Sequence, residues 1–204
     1  QPVEVLPLLR ATPNLVTFRP ADAREVIASY EFALENQNTP IVLSLTRQSI
    51  PSLVQSDRYK ALKGAYVLQQ TSEDIPDIIL IASGSEVHLI VETSVKLEKR
   101  GINVRVVSCP CLDIFEQQPI KYRRKILVPD VPVVSVEASS TFGWAKYAHY
   151  NIGMTTFGAS APGGENMKRF GFTSENILEK IISLFGEITN SKFHTIGLLE
   201  CQRR

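Results

Sequence analysis

Apolar positions along this chain follow two rhythms, and the rhythms alternate. Leu15-Val16-Thr17-Phe18 is a short β-rich run stopped by Arg19-Pro20. Asp22 sits three residues before Glu25, a capping-box spacing with Asp in place of Ser or Thr. Val26, Ile27, Tyr30, Ala33 and Leu34 then recur at helical spacing. Asn36-Gln37-Asn38 and Pro40 end that helix. The continuous apolar run Ile41–Leu45 predicts a strand covered on both faces, followed by Thr46-Arg47-Gln48. Together these segments read as one βαβ unit.

Residues 51–76 lack a sustained period and read as a linker, with Tyr66-Val67-Leu68 as a short strand lying on a neighbour. From residue 77 the alternation is clear. Ile78–Ala82 is a strand, and Ser85 is placed to cap the helix that runs to Lys99-Arg100-Gly101. Asn103–Val107 is the next strand. Ile114–Leu127 is helical, interrupted by Pro119. Val131–Val136 is a third strand. A helix is expected over Gly143–Tyr150, a short strand at Thr155-Thr156-Phe157, a short helix over Glu165–Phe170, and a last helix capped by Thr173-Ser174. Strands alternating with helices predict an α/β fold: a partial βαβ unit followed by a mostly parallel α/β domain over 77–188. The tail, 189–204, has no clear period, and a short packed element and a disordered end both remain open.

Charge narrows the partners. The chain of 204 residues carries 22 Lys and Arg against 21 Asp and Glu, a net charge of +1. Bulk attraction to nucleic acid or to anionic membrane is therefore not expected. No apolar run approaches the roughly 20 residues that span a bilayer. Three cysteines (Cys109, Cys111, Cys201) do not suggest a disulfide scaffold and fit a reducing compartment. Gln1-Pro2 reads as mid-domain sequence, as in a fragment of a longer protein.

Arg47 is the leading candidate for chemistry. It follows directly from a strand, and open α/β sheets collect ligands beyond the carboxyl ends of their strands. Its guanidinium offers a planar fork of donors suited to phosphate oxygens; the alternative is a structural ion pair. Cys109-Pro110-Cys111 has the wrong spacing for a zinc or dithiol site. His88, His149 and His194 are scattered; His88 falls on the polar side of its helix, and His149 sits among Trp144, Tyr147 and Tyr150 as packing. Ser83-Gly84-Ser85-Glu86 forms a strand-turn-helix element that weakly suggests an anion site. Gly158–Gly164 is flexible but matches no phosphate fingerprint. Glu137 ends a strand and is open to a catalytic role or to bridging subunits. Lys121–Lys125 reads as a solvated face.

These residues also carry a resemblance. Gln1-Pro2-Val3-Glu4, Pro13-Asn14, Arg19-Pro20-Ala21-Asp22 and Ser44-Leu45-Thr46-Arg47-Gln48 resemble the end of the pyrimidine-binding domain of transketolases. The segments Asp77–Val87, Arg105–Ser108, Pro132–Glu137, Trp144–Ala148, Phe157–Ser160 and Phe170–Thr173 resemble the C-terminal domain of that family, in order and spacing. Tyr122-Arg123-Arg124 is similar to the sister enzyme dihydroxyacetone synthase. The resemblance implies residues 1–50 as the end of the pyrimidine-binding domain and 77–188 as the C-terminal domain. It implies a homodimeric, cytoplasmic parent, with peroxisomal dihydroxyacetone synthase as the alternative. That parent uses thiamine diphosphate and Mg2+ or Ca2+ to move a two-carbon ketol unit between sugar phosphates, with the cofactor as electron sink. It assigns substrate phosphate binding to Arg47. The family's D-G-P-T-H motif, its metal ligands and its activating glutamate lie outside this sequence. The resemblance therefore implies that this chain alone binds no cofactor and is inactive, or serves as a dimerisation or interaction module.

Overall fold

A computed structural model describes residues 2–190. The tail reading for 189–204 falls almost wholly outside the described residues. The N-terminal unit comprises α1 (Val5–Ala11), β1 (Val16–Phe18), α2 (Ala23–Glu35) and β2 (Ile41–Leu43). β1 and β2 pair in parallel, Val16 opposite Ile41 and Phe18 opposite Leu43. Asp22 caps α2 by accepting from the amides of Arg24 and Glu25, as its spacing predicts. Its other oxygen accepts from the Leu53 amide and the Ser56 hydroxyl. β2 is shorter than expected, and half-buried instead of covered on both faces.

The second unit is a five-stranded sheet. Its strands are β3 (Tyr66–Gln70), β4 (Ile78–Ala82), β5 (Val104–Ser108), β6 (Val133–Ser140) and β7 (Tyr150–Met154). The order is β3-β5-β4-β6-β7; β3 is antiparallel and every other pairing is parallel. The segment expected as a linker thus supplies a short helix, α3 (Arg58–Ala61), and an edge strand. Tyr66 and Leu68 are buried while Val67 is half-buried, so β3 gains a packed face by joining β5.

β4 shows why the sheet is closed on both sides. Ile78, Leu80 and Ala82 pack with Val87, Ile90 and Leu97 of α4 (Glu86–Glu98) and with Ile177 and Ile181 of α8 (Ser174–Asn190). Ile79 and Ile81 face the other way. They meet Leu112 and Phe115 of α5 (Leu112–Gln117) and Ile126 of α6 (Ile120–Ile126). Pro119 separates α5 from α6, as predicted. α7 (Gly163–Arg169) follows the glycine-rich loop.

Two expectations fail near the carboxyl edge. The helix foreseen over Gly143–Tyr150 is a single 3-10 turn, Trp144–Lys146, because Gly143 takes a left-handed φ of 92° and buried Trp144 anchors the chain. The strand foreseen at Thr155–Phe157 lies earlier, at Tyr150–Met154, where Ile152 and Met154 reach the core. Ser85 occupies the cap position of α4, yet its hydroxyl bonds Glu86 Oε1 at 2.7 Å instead of a helix amide.

The two units share a seam. Cys111 and Ile114 pack with Val16 and Phe18. The amides on the side of β1 away from β2 are taken by the second unit: Thr17 N–H donates to Asp113 Oδ2 (2.9 Å) and Arg19 N–H to the Pro110 carbonyl (2.8 Å). Gly64 lies beside this seam with φ 82°, and a Cβ there would stand 2.3 Å from Phe115 N and 2.4 Å from Cys111 O. Both contacts are backbone and cannot yield. Gly64→Ala is therefore expected to cost about 2–4 kcal/mol from overpacking and left-handed strain together. A wild-type urea midpoint for the variant would refute this.

Candidate functional site

Arg47 leaves the carboxyl end of β2 in the loop that follows Ser44, whose N–H donates to Phe18 O at 2.8 Å. Its side chain is exposed, and among the described residues it forms no ion pair. The loop is bound internally by a Thr46–Gln48 side-chain hydrogen bond. Gln48 lies over Gly163 at the start of α7, where a Cβ would come within 2.5 Å of its Nε2. The structure therefore brings the Gly158–Gly164 segment against the Arg47 loop, which sequence spacing did not suggest. Asn166 Nδ2 folds that segment by donating to the carbonyls of Ala159 (3.0 Å) and Ala161 (3.2 Å).

The main buried charge cluster lies elsewhere. Glu137 on β6 is 1% exposed. It accepts from Arg10 at 2.7 and 2.8 Å, a bidentate pair, and from Trp144 Nε1 at 2.8 Å. The Ser83 hydroxyl also donates to it. Arg19 donates to Glu86 Oε2 (2.5 Å) and to the Ser83 carbonyl (2.7 Å), with Glu137 Oε1 3.6 Å away. Burial would push the Glu137 carboxyl up, but the guanidiniums of Arg10 and Arg19 and the Ser83 hydroxyl hold it at about 2. A second buried carboxylate, Glu25, accepts from Ala21 N–H, Tyr66 O–H and Ser108 O–H; burial without a cation raises it.

Glu137 therefore bridges, but within one chain. Arg10, Arg19, Ser83 and Trp144 were missed as its partners, as was the pairing of Arg19 with Glu86. The available signal was a charged residue inside an apolar run at Arg10, a carboxylate just past a buried strand at Glu86, and one at the end of an apolar run at Glu137. Two clefts of about 220 and 530 Å3 flank Arg10 and share Asp113. Neither is lined by Arg47.

The remaining candidates serve packing. Cys109 and Cys111 are free and buried; burial pushes Cys109 well up and Cys111 to about 12, so neither is a thiolate at neutral pH. His149 Nδ1 accepts from Val133 N–H at 3.0 Å, and burial lowers its pKa. His88 is half-buried, not solvated as its polar helix side suggested, and its Nε2 is buried with no hydrogen-bond partner among the described residues. His194 lies outside the described residues. In the basic cluster, Tyr122 O–H donates to the Ala65 carbonyl at 2.9 Å, and Lys63 stands over its ring.

A mostly parallel α/β domain clamped by buried charges to the end of a second α/β unit is the class this architecture defines. The transketolase-like C-terminal domain model matches residues 64–173, and the transketolase pyrimidine-binding domain model matches residues 1–52. The chain belongs to the transketolase family. It is 46% identical over 180 residues to Transketolase 1 of Candida albicans and to Transketolase 1 of Saccharomyces cerevisiae, covering 88% of this chain and 26% of each relative. A solved transketolase of Pichia stipitis in complex with sedoheptulose-7-phosphate superposes with a TM-score of 0.88 at 43% identity, over 94% of this chain and 28% of that one. The transketolase of Leishmania mexicana gives 0.84 at 43% identity, over 88% of this chain and 26% of that one. The chain thus spans about a quarter of the length of the curated relatives it matches. No helix among the described residues is long and apolar enough to cross a membrane.

Proposed function

We propose that this chain is the C-terminal part of a transketolase and contributes Arg47 to the phosphate end of the sugar substrate. The assembled enzyme transfers a two-carbon ketol unit from a ketose phosphate to an aldose phosphate, as a homodimer in the cytoplasm. The division into residues 1–50, the end of the pyrimidine-binding domain, and 77–188, the C-terminal domain, belongs to the same reading. The observation that carries it is Arg47 itself: an exposed, unpaired guanidinium at the exit of a parallel strand in a transketolase-family chain. Such a group is free to take a phosphate dianion in a bidentate grip.

Thiamine diphosphate with Mg2+ or Ca2+ supplies the electron sink in the complete enzyme. In this reading its site lies in the rest of the enzyme. Among the described residues no three His, Cys, Asp or Glu side chains converge to hold a metal ion. The buried cluster of Arg10, Arg19, Glu86 and Glu137 balances two positive charges with two negative ones and has none left for a diphosphate. The chain's part in the reaction is substrate binding. Titrating it calorimetrically with thiamine diphosphate and Mg2+ is expected to give no saturable heat. A saturable isotherm would overturn the reading of this chain as the part lacking the cofactor site. An acceptor assay on the complete enzyme, aldose phosphate against formaldehyde, separates this reading from dihydroxyacetone synthase.

A further inference from the structure

The sheet changes direction between β4 and β6. The chain leaves β4 through α4 towards β5 on one side, and leaves β6 towards β7 on the other. Neighbouring strands with diverging exits leave a crevice at their carboxyl ends, where open α/β sheets take their ligands. In this chain the crevice is lined by Ser83, Glu86 and Glu137. Two buried carboxylates make it a receptor for cations, not for phosphate. It is filled from within by the guanidiniums of Arg10 and Arg19, both from the N-terminal unit. The turn is shaped for this occupant: Gly84 has φ 58°, and a Cβ there would stand 2.8 Å from Arg19 Cζ. Gly84 N–H also donates to the Arg19 carbonyl at 2.9 Å. The strand-turn-helix element at Ser83–Glu86, weak as an anion site, is thus accounted for as a guanidinium seat.

Arg19 is the residue after Phe18, whose carbonyl holds Ser44, three residues before Arg47. The seat and the Arg47 loop are therefore joined through one short parallel pair. We propose that the crevice of the C-terminal domain is a guanidinium receptor and that, by fixing Arg19, it sets the position of the Arg47 loop. Glu86 and Glu137 are then positioning residues for phosphate binding. This last step rests on the reading of Arg47; the receptor does not.

Trp144 is the chain's one tryptophan and reports on the crevice directly. Its indole N–H donates to Glu137, and Arg10 lies 5.5 Å over its ring. Arg10 borders both surface clefts, so its removal opens the seat to solvent. In Arg10→Ala, guanidinium chloride at tens of millimolar, far below denaturing concentration, is expected to shift Trp144 emission saturably back towards wild type. Sodium chloride at equal ionic strength is expected not to do so, and wild-type protein is expected not to respond. A response in the variant no different from wild type overturns the receptor. The positioning step is read in the complete enzyme with Arg19→Lys, which keeps the charge and so the fold. KM for sugar phosphates is expected to rise about fivefold with kcat retained, and KM for an unphosphorylated ketose to stay unchanged. Wild-type KM values in Arg19→Lys overturn the positioning claim. If Arg47→Ala also leaves KM for sugar phosphates unchanged, the reading of Arg47 fails, and the fluorescence result stands apart from it.

Discussion

Replacing Arg47 by alanine in the complete enzyme is expected to raise KM for phosphorylated sugars by about ten- to hundredfold while kcat changes far less. One charge-assisted bidentate contact is worth roughly 1.5–3 kcal/mol, which converts to that range. The loss falls on KM because a phosphate remote from the reacting carbons is held equally in ground state and transition state. Among the described residues Arg47 forms no ion pair, so its removal orphans no carboxylate there and is expected to cost little stability. Steady-state kinetics with a phosphorylated and an unphosphorylated ketose checks both halves. Equal KM for the phosphorylated substrate in variant and wild type would remove Arg47 from the site.

The second large effect is on stability. Glu137→Ala strands two buried guanidiniums with Glu86 as their remaining carboxylate, and a broken buried ion pair costs about 3–5 kcal/mol. The same carboxylate makes the fold sensitive to acid. Its folded pKa, about 2, lies below the ordinary 4.5. The stability it contributes is therefore complete above pH 4.5 and is lost as pH falls towards 2. That contribution is on the order of 3 kcal/mol at most. Glu25 has the opposite sign: its folded pKa is raised, so its protonation in acid favours the folded state. The Glu137 contribution is therefore read as the difference between wild type and Glu137→Gln in thermal melts from pH 6 to 2.5. Parallel acid profiles for the two proteins would contradict it.

Local signals carried most of the fold. Asp22 and Glu25 announced α2, and the apolar run at Ile78–Ala82 announced a strand. Both depend on neighbours within a few residues. β7 was misplaced because its Tyr-Asn-Ile-Gly-Met sequence has weak β character and owes its state to pairing with β6. Tyr66-Val67-Leu68 was read as a short strand lying on a neighbour, and that neighbour is β5 of the same sheet. The position of Arg47 past the end of β2 was legible because strand exits are legible. The charge cluster was not, since Arg10 and Glu137 meet across 127 positions and nothing local to either marks the other.

Pro110 and Asp113 occupy the amides on one flank of β1, while no strand among the described residues pairs with the outer flank of β2. This small sheet is thus sticky on a single side. An incoming strand has one place to add, and a further molecule meets no second face from which to continue the stack.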